Sequence, residues 1–486
     1  MSTDINHKGC CKICTVVFCD TPYFYHSKPP ILHSNPILQI NYKGDNSMIL
    51  YTTNAENQLV RSEKDFYTDH DIENNLIKVY AMEERQEMIG FGGALTESSA
   101  YTFSRMSKEK QEILTNLYFG EQGNNYNFCR LHIQSCDFSL GNSAYVTDET
   151  DTKLRSFSLE QDEKYVISYI KEALKKNPNI QFLGSPWSPP AFMKSNKQMN
   201  EGGILLPEYY QRWAEVIARY IIEYKNHGID VTRITIQNEP KAIQRWDSCV
   251  FTAEDEKNFA CNYLKKVLEK HGLEHVKINI WDHNKERVYD RAVATISDKE
   301  AYECIDGIAF HWYSGDHFEA LQLVRDKFPE KELIFSEGCA EFSLYRNPNP
   351  VTIAEKYAHD IIGNLNSGMN AYLDWNVILD SDGGPNHVGN YCDAPVMCDP
   401  DKDTIDLKLS FYYIGHFSRF IKKGAKRIVV SRFSDQLETV GFVNPDGEKV
   451  IVILNKTDSP CEFKLCDNDN ISDLTLEAHS IMTAVY

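Results

Sequence analysis

No stretch of this chain approaches the roughly 18 consecutive apolar residues of a membrane span. The first residues, Met1 to Lys12, also lack the apolar segment of a secretory leader. Basic residues are scarce beside acidic ones, 51 against 70, leaving a formal net charge of −19. That balance argues against nucleic acid and anionic membrane surfaces as partners, because both select for clustered Lys and Arg. Neither a GxGxxG nor a GxxxxGK[ST] loop occurs, so nothing marks a nucleotide-binding crossover. Internal repeats and low-complexity linkers are missing as well. The expected protein is cytoplasmic, or secreted if a leader once preceded Met1, with no membrane insertion. A neutral substrate such as a small carbohydrate meets no electrostatic objection.

Cysteine is not lacking: there are 14. Most, such as Cys129, Cys261 and Cys304, stand singly within apolar runs, the pattern of buried free thiols. The cluster Cys10, Cys11, Cys14 and Cys19 lacks a well-spaced second pair, and Cys461 with Cys466 does not supply one, so no zinc site is expected. Asp399, Asp401 and Asp403 start like a calcium loop, but Thr404 replaces its glycine and Ser410 its closing glutamate. Neither a metal nor another cofactor is therefore expected.

From about residue 88 the chain alternates strand-like and helix-like segments. Apolar or β-branched runs fall near 89–94, 127–133, 180–184, 232–238, 277–281, 307–312, 332–336 and 370–375. Helical patterns lie between them. Ser158 with Gln161 has the spacing of a capping box, ahead of Ile167, Ile170 and Leu174 on one face. Pro207 suits the first turn of a helix carrying Trp213, Ile217, Tyr220 and Tyr224, and Gly228 ends it. Thr252 can cap a helix that runs to His271, and a further pattern stops at Gly368. Eight strands separated by helices predict an α/β fold, a (β/α)8 TIM barrel, over a doubly wound open sheet.

Both flanks are β-rich instead. Asn444-Pro445-Asp446-Gly447 joins two apolar runs as a hairpin turn. The expected organisation is an accessory β-sandwich-like domain built from both termini, 1–80 and 421–486, around a catalytic barrel at 81–420.

Chemistry gathers at the strand ends. Glu239, in Gln237-Asn238-Glu239-Pro240, follows the fourth run, and Glu337, in Ser336-Glu337-Gly338, ends the seventh. Barrel active sites open at the C-terminal rim, so two carboxylates there would share one cup. Paired carboxylates are the machinery of glycosidic bond cleavage. Asp137, Trp187, His311 to Tyr313 and Trp375 stand at other strand ends, where carboxylates bind hydroxyls and aromatic faces stack on sugar rings. Cys339 near Glu337 is expected to pack rather than to act as a nucleophile.

These motifs, in this order, resemble glycoside hydrolase family 30, and within it the glucosylceramidase-like group. The resemblance is carried by Gly90 to Glu97, Ser135 to Ser139, Ser185 to Lys194, Gln237 to Pro240 and Phe310 to Tyr313. It continues through Phe335 to Cys339, Asp374 to Asn390 and Tyr413 to Ser418. It implies a barrel fused to a β-sandwich and retaining hydrolysis of β-glycosides. It also implies Glu239 as acid/base and Glu337 as nucleophile. Asn238 is placed on the sugar's 2-hydroxyl, Asp137, Trp187, Trp375 and Asn390 on the other glycon hydroxyls, and Tyr313 beside the nucleophile. Arg130 is implied as the charge that keeps Glu337 ionised, and His311 as a residue supporting the substrate site. The loop from Lys241 to Val250 departs from the lysosomal members, and His387 stands where they carry an aromatic residue. An exo-acting β-glucosidase taking short, non-lipid β-glucosides is expected. β-Xylosidase, β-fucosidase, endo-β-1,6-glucanase and a non-catalytic carbohydrate-binding protein are the alternatives. The charge on Glu337 is expected to raise the pKa of Glu239.

Overall fold

The architecture was read from a computed structural model, which describes residues 47–70, 74–344 and 349–486. The cluster Cys10, Cys11, Cys14 and Cys19 lies outside the described residues.

Eight parallel strands form one sheet: β1 (Gly90–Gly93), β2 (Phe128–Ile133), β3 (Gln181–Pro186), β4 (Val231–Thr235), β5 (Lys277–Asn284), β6 (Gly307–His311), β7 (Glu332–Glu337) and β8 (Ala371–Asp374). Each of the eight runs expected from the sequence forms its strand. β1 pairs with β8 from Gly90↔Ala371 to Gly93↔Asp374. On its other side the Leu95 amide donates to the Arg130 carbonyl at 2.9 Å, and Ala94 bridges Arg130, so the sheet closes into a barrel. Closure brings β1 and β2 unusually near. A Cβ on Gly92 would fall 1.6 Å from the Phe128 carbonyl oxygen, so the glycine is required by a backbone approach.

The barrel interior is layered because inward positions recur every second residue. Phe128, Leu183, Ile334, Ala371 and Leu373 make an apolar floor. Two residues further along the same strands stand Arg130, Ser185 and Ser336, and the interior turns polar toward the C-terminal rim.

Helix signals are mostly realised. Helix Tyr210–Asn226 follows a short turn begun by Pro207 and buries Trp213, Ile217, Tyr220 and Tyr224, with Gly228 at φ +82° just beyond. Thr252 and Asp255 form a capping box at the start of helix Ala253–Asn258. The capping box expected at Ser158 does not form. Helix Glu160–Lys164 begins without a side-chain cap, and Gln161 instead donates to Glu97. A buried tertiary acceptor has taken the Gln161 side chain, and the Ser158 amide it would have capped donates to the Tyr145 carbonyl instead.

The flanks join as expected. Strands Ser47–Thr53, Val60–Asp65, Tyr67–Thr68 and Leu76–Glu87 enter one ten-stranded sheet with six strands from Lys426–Arg432 to Ser480–Val485. Its core includes Leu50, Ile77, Ile428, Ile451, Ile453 and Leu465. The hairpin register Val443↔Lys449 places the Asn444–Gly447 turn where the sequence put it. His416, fully buried, ties barrel to sandwich through Thr53 and Thr483, each 2.8 Å from one ring nitrogen. Among the described residues, Cys129, Cys136, Cys249, Cys261, Cys304, Cys339, Cys392, Cys398, Cys461 and Cys466 are all free and buried. Asp399, Asp401 and Asp403 are engaged by Lys402, Arg105 and the Ser107 amide respectively. No helix among the described residues is long and apolar enough to cross a membrane.

Candidate active site

A cavity of about 310 Å³ opens at the C-terminal rim. Glu239 and Glu337 both line it, with Asp137, Trp187, Asn238, Tyr313, Trp375 and Asn390. The ends of six strands, β2, β3, β4, β6, β7 and β8, thus converge on one cup. His311 does not line it: the ring is fully buried beneath Glu239, between that carboxylate and Asp282.

Below the cavity Arg130, fully buried on β2, organises the charges. Its Nη1 donates to Glu337 Oε2 at 2.5 Å. Nη2 donates to Asp282 Oδ2 at 2.7 Å and to Asn238 Oδ1 at 2.9 Å, and Nε to Ser185 Oγ at 3.1 Å. Glu337 also accepts from the Tyr313 hydroxyl at 2.9 Å. Trp187 and Trp375 stack at 5.2 Å, and the guanidinium packs over both rings at 4.7 and 5.5 Å. Each tryptophan therefore supports the arginine as well as walling the cavity.

Asp282 is the anion that makes this arrangement affordable. It accepts from Ser336 Oγ at 2.6 Å and Thr235 Oγ1 at 2.7 Å, and lies 3.0 Å from His311 Nε2. Burial alone would raise its pKa, but Arg130 and His311 overcome that and hold it below the usual carboxylate range. Its position comes from a bulge. The β5–β6 register passes from Trp281↔Ala309 to His283↔Phe310, skipping Asp282, while Trp281 and Asp282 hold φ values of +72° and +50°. Such a bulge re-aims a side chain at the price of backbone strain.

On the opposite side, Glu239 follows β4 with its own φ at +46°. His311 Nδ1 lies 3.4 Å and His283 Nδ1 3.6 Å from its Oε1, and Gln244 Nε2 donates to Oε2 at 3.4 Å. Burial pushes Glu239 up, yet the His311 hydrogen bond and the charges of His283 and His311 hold it below the ordinary value. Burial raises Glu337, with His311 and Arg130 offsetting only part of the effect. These directions correct the expectation that the Glu337 charge would raise Glu239. The two imidazoles beside Glu239, not placed there by the sequence, outweigh it. His311 pays for burial but gains from Glu337, Asp282 and Glu239, and rises to about 9. Asp137, which accepts from Asn390 Nδ2 at 3.3 Å, is carried to about 8 by burial and the Glu337 charge.

Sequence reasoning missed Asp282, His283, Gln244, Trp246 and Glu341. The first two carried a usable signal. The fifth run was read only to Trp281, whereas the strand continues to Asn284, and the rim rule applied there points to Asp282-His283-Asn284. Gln244, Trp246 and Glu341 come from loops whose path no local pattern encodes. His387, whose Nδ1 lies 3.1 Å from the Ser139 carbonyl, approaches Asp247 at 3.6 Å.

Comparison with known proteins agrees with this fold. The family model for the glycosyl hydrolase family 30 TIM-barrel domain matches residues 88–421, and that for its beta sandwich domain matches 424–484. The lysosomal acid glucosylceramidase of Mus musculus is 32% identical over 401 residues, 79% of this chain and 78% of that protein. An endo-1,6-beta-D-glucanase of Neurospora crassa is 29% identical over 394 residues, 76% of this chain and 79% of that protein. The crystal structure of SrfJ from Salmonella typhimurium superposes with a TM-score of 0.89 at 40% identity, covering 90% of this chain and 99% of that one.

Proposed function

The chain belongs to glycosyl hydrolase family 30 and is a retaining glycosidase; on that premise we propose that it is an exo-acting β-glucosidase of the glucosylceramidase-like kind. The observation that carries this reading is the cavity itself. At about 310 Å³ it stands at the small end of small-molecule sites, with Asp137, Trp187, Trp375 and Asn390 gathered round the nucleophile. That suits one terminal sugar residue better than the middle of a polymer.

Glu337 attacks the anomeric carbon as the glycosidic C–O bond breaks, and Glu239 protonates the departing oxygen. A water then attacks the glycosyl-enzyme ester. Glu239 takes its proton, the sugar is released with its configuration retained, and Glu337 is regenerated. Arg130 and Tyr313 orient the nucleophile through one oxygen each, so the attacking lone pair is held in place. Asn238, fixed by Arg130, faces the glycon's 2-hydroxyl, where a hydrogen bond strengthens as positive charge develops on the ring. The aglycone side carries Gln244, His283, Asn284 and Glu341, polar groups that favour a short, hydroxylated leaving group.

Endo-β-1,6-glucan hydrolysis is the second reading, favoured by the similarity to a glucanase. The test is a panel of aryl β-glucoside, β-xyloside and β-fucoside run beside polymeric β-1,6-glucan. Release of glucose from the aryl glucoside, with little action on polymer, is expected. Oligomers cut from the glucan interior would overturn the exo assignment, and equal signals from wild type and Glu337→Ala would overturn the catalytic one.

A further inference from the structure

We propose that Glu239, His283 and His311 form an inhibitory zinc site that captures the acid/base carboxylate. The three donor atoms all lie within 4.8 Å of one another. Zinc bound to nitrogen and oxygen at about 2.0–2.1 Å in a tetrahedron sets its ligands roughly 3.3–3.4 Å apart. The observed separations from Glu239 Oε1 are 3.4 Å to His311 Nδ1 and 3.6 Å to His283 Nδ1. Two edges of the tetrahedron are thus close to built before any metal arrives.

The surroundings suit a metal in two further respects. His283 Nδ1 is buried and makes no hydrogen bond within the protein, although the carboxylate stands beyond it. His311 Nε2 lies 3.0 Å from Asp282 Oδ1, a carboxylate–histidine relay that keeps one proton on Nε2, so that a metal displacing the Nδ1 proton finds a lone pair there. Gln244 engages only Oε2 of Glu239, so Oε1 is the oxygen presented to both imidazoles. Two imidazole nitrogens and one carboxylate oxygen form a borderline-soft donor set that suits Zn²⁺ over Mg²⁺ or Ca²⁺. The cavity leaves the fourth position for water.

This site is not a cofactor site. Binding displaces the proton held between Glu239 and His311, so the carboxylate has none to give the leaving group. Hydrolysis stops while the fold is untouched. The inhibition, though not the binding, rests on the acid/base role of Glu239.

Chelator-treated full-length protein titrated with Co²⁺ tests the binding without substrate. One equivalent is expected to produce the visible d–d bands of a four- or five-coordinate ion, and Zn²⁺ to displace it. His283→Gln removes a direct ligand and is expected to weaken Co²⁺ binding by at least the roughly 10–100-fold that loss of an outer-shell partner costs. His283→Asp, which returns an oxygen donor, is expected to recover part of it, and melting curves verify that both variants fold. Equal affinity in wild type and His283→Gln would overturn the site. So would thiolate-to-cobalt charge-transfer bands, which would place the metal on cysteines. Because the spectrum is read without a glycoside, it stands or falls separately from the glucosidase reading.

Discussion

Arg130 reaches Glu337 with one guanidinium nitrogen, at 2.5 Å, and both side chains are buried. The pair cannot be considered alone, since the second nitrogen holds Asp282 at 2.7 Å. One buried cation between two buried anions ties Glu337 on β7 to the bulge on β5. Removing the cation would leave both carboxylates with His311 as their remaining counter-charge. Arg130→Leu is therefore expected to lose about 3–5 kcal/mol of stability, read as a lower denaturant midpoint, together with all measurable turnover. Wild-type stability in that variant would show that the network has relaxed around the gap.

Tyr313→Phe removes the hydroxyl that donates to Glu337 and keeps the ring in the cavity wall. A hydrogen bond to a charged group is worth about 1.5–3 kcal/mol, so kcat should fall by roughly 10–100-fold. The melting temperature should stay near wild type. A loss confined to KM would place Tyr313 on the substrate and not on the nucleophile.

Glu239→Gln keeps the shape and removes the proposed proton donor. A loss of about 10²–10⁴-fold is expected on substrates with poor leaving groups. Dinitrophenyl β-glucoside, whose leaving group needs no proton, should still form the glycosyl-enzyme and then stall at deglycosylation. Added azide, a nucleophile that needs no base, should restore turnover on it. No azide rescue would move the acid/base role elsewhere.

Gly92→Ala tests barrel closure. Its Cβ would collide with backbone rather than with a side chain that could rotate away. A loss beyond about 4 kcal/mol, or failure to fold, is expected by circular dichroism and denaturant titration. A folded variant at wild-type stability would mean that β1 and β2 can separate without cost.

The barrel and the sandwich also meet through His359, on helix Pro350–Asn366. Its Nδ1 lies 2.8 Å from Glu438 and its Nε2 3.1 Å from Asp316, with Lys456 Nζ 3.1 Å from Nδ1 as the opposing charge. The Glu438 hydrogen bond leads in raising its pKa above the ordinary 6.5, despite burial and Lys456. A histidine raised on folding stabilises fully below its unfolded pKa, and that contribution is lost as pH rises through the folded value. The urea midpoint should therefore fall as pH rises from 6.5 upward. His359→Gln should flatten that slope, and an unchanged slope would exclude this histidine as its source.

The order of eight strands, the β-rich flanks and the two glutamates were legible because they rest on local properties. Apolar periodicity, turn residues and a strand's end are written within a few positions of each other. The aromatic wall of the cavity was legible for the same reason, since Trp187 and Trp375 directly follow their strands. Asp282 and His283 were not read, because a bulge with two left-handed residues carries β5 past the point where its apolar pattern stops. Gln161 shows the same limit on a small scale, with a distant carboxylate taking the side chain from its local cap.

The sequence by itself determined the barrel, its accessory sheet and the pairing of Glu239 with Glu337. The resemblance implied Arg130 and Tyr313 beside Glu337, but only the tertiary structure decided the balance of charge around that pair. Two histidines from β5 and β6 surround Glu239, while an arginine from β2 and a tyrosine beyond β6 hold Glu337. The reason is physical. Strand identity follows from the chain's own periodicity, whereas a buried carboxylate answers to whichever charges barrel closure brings within a few ångströms, and these come from residues far apart along the chain.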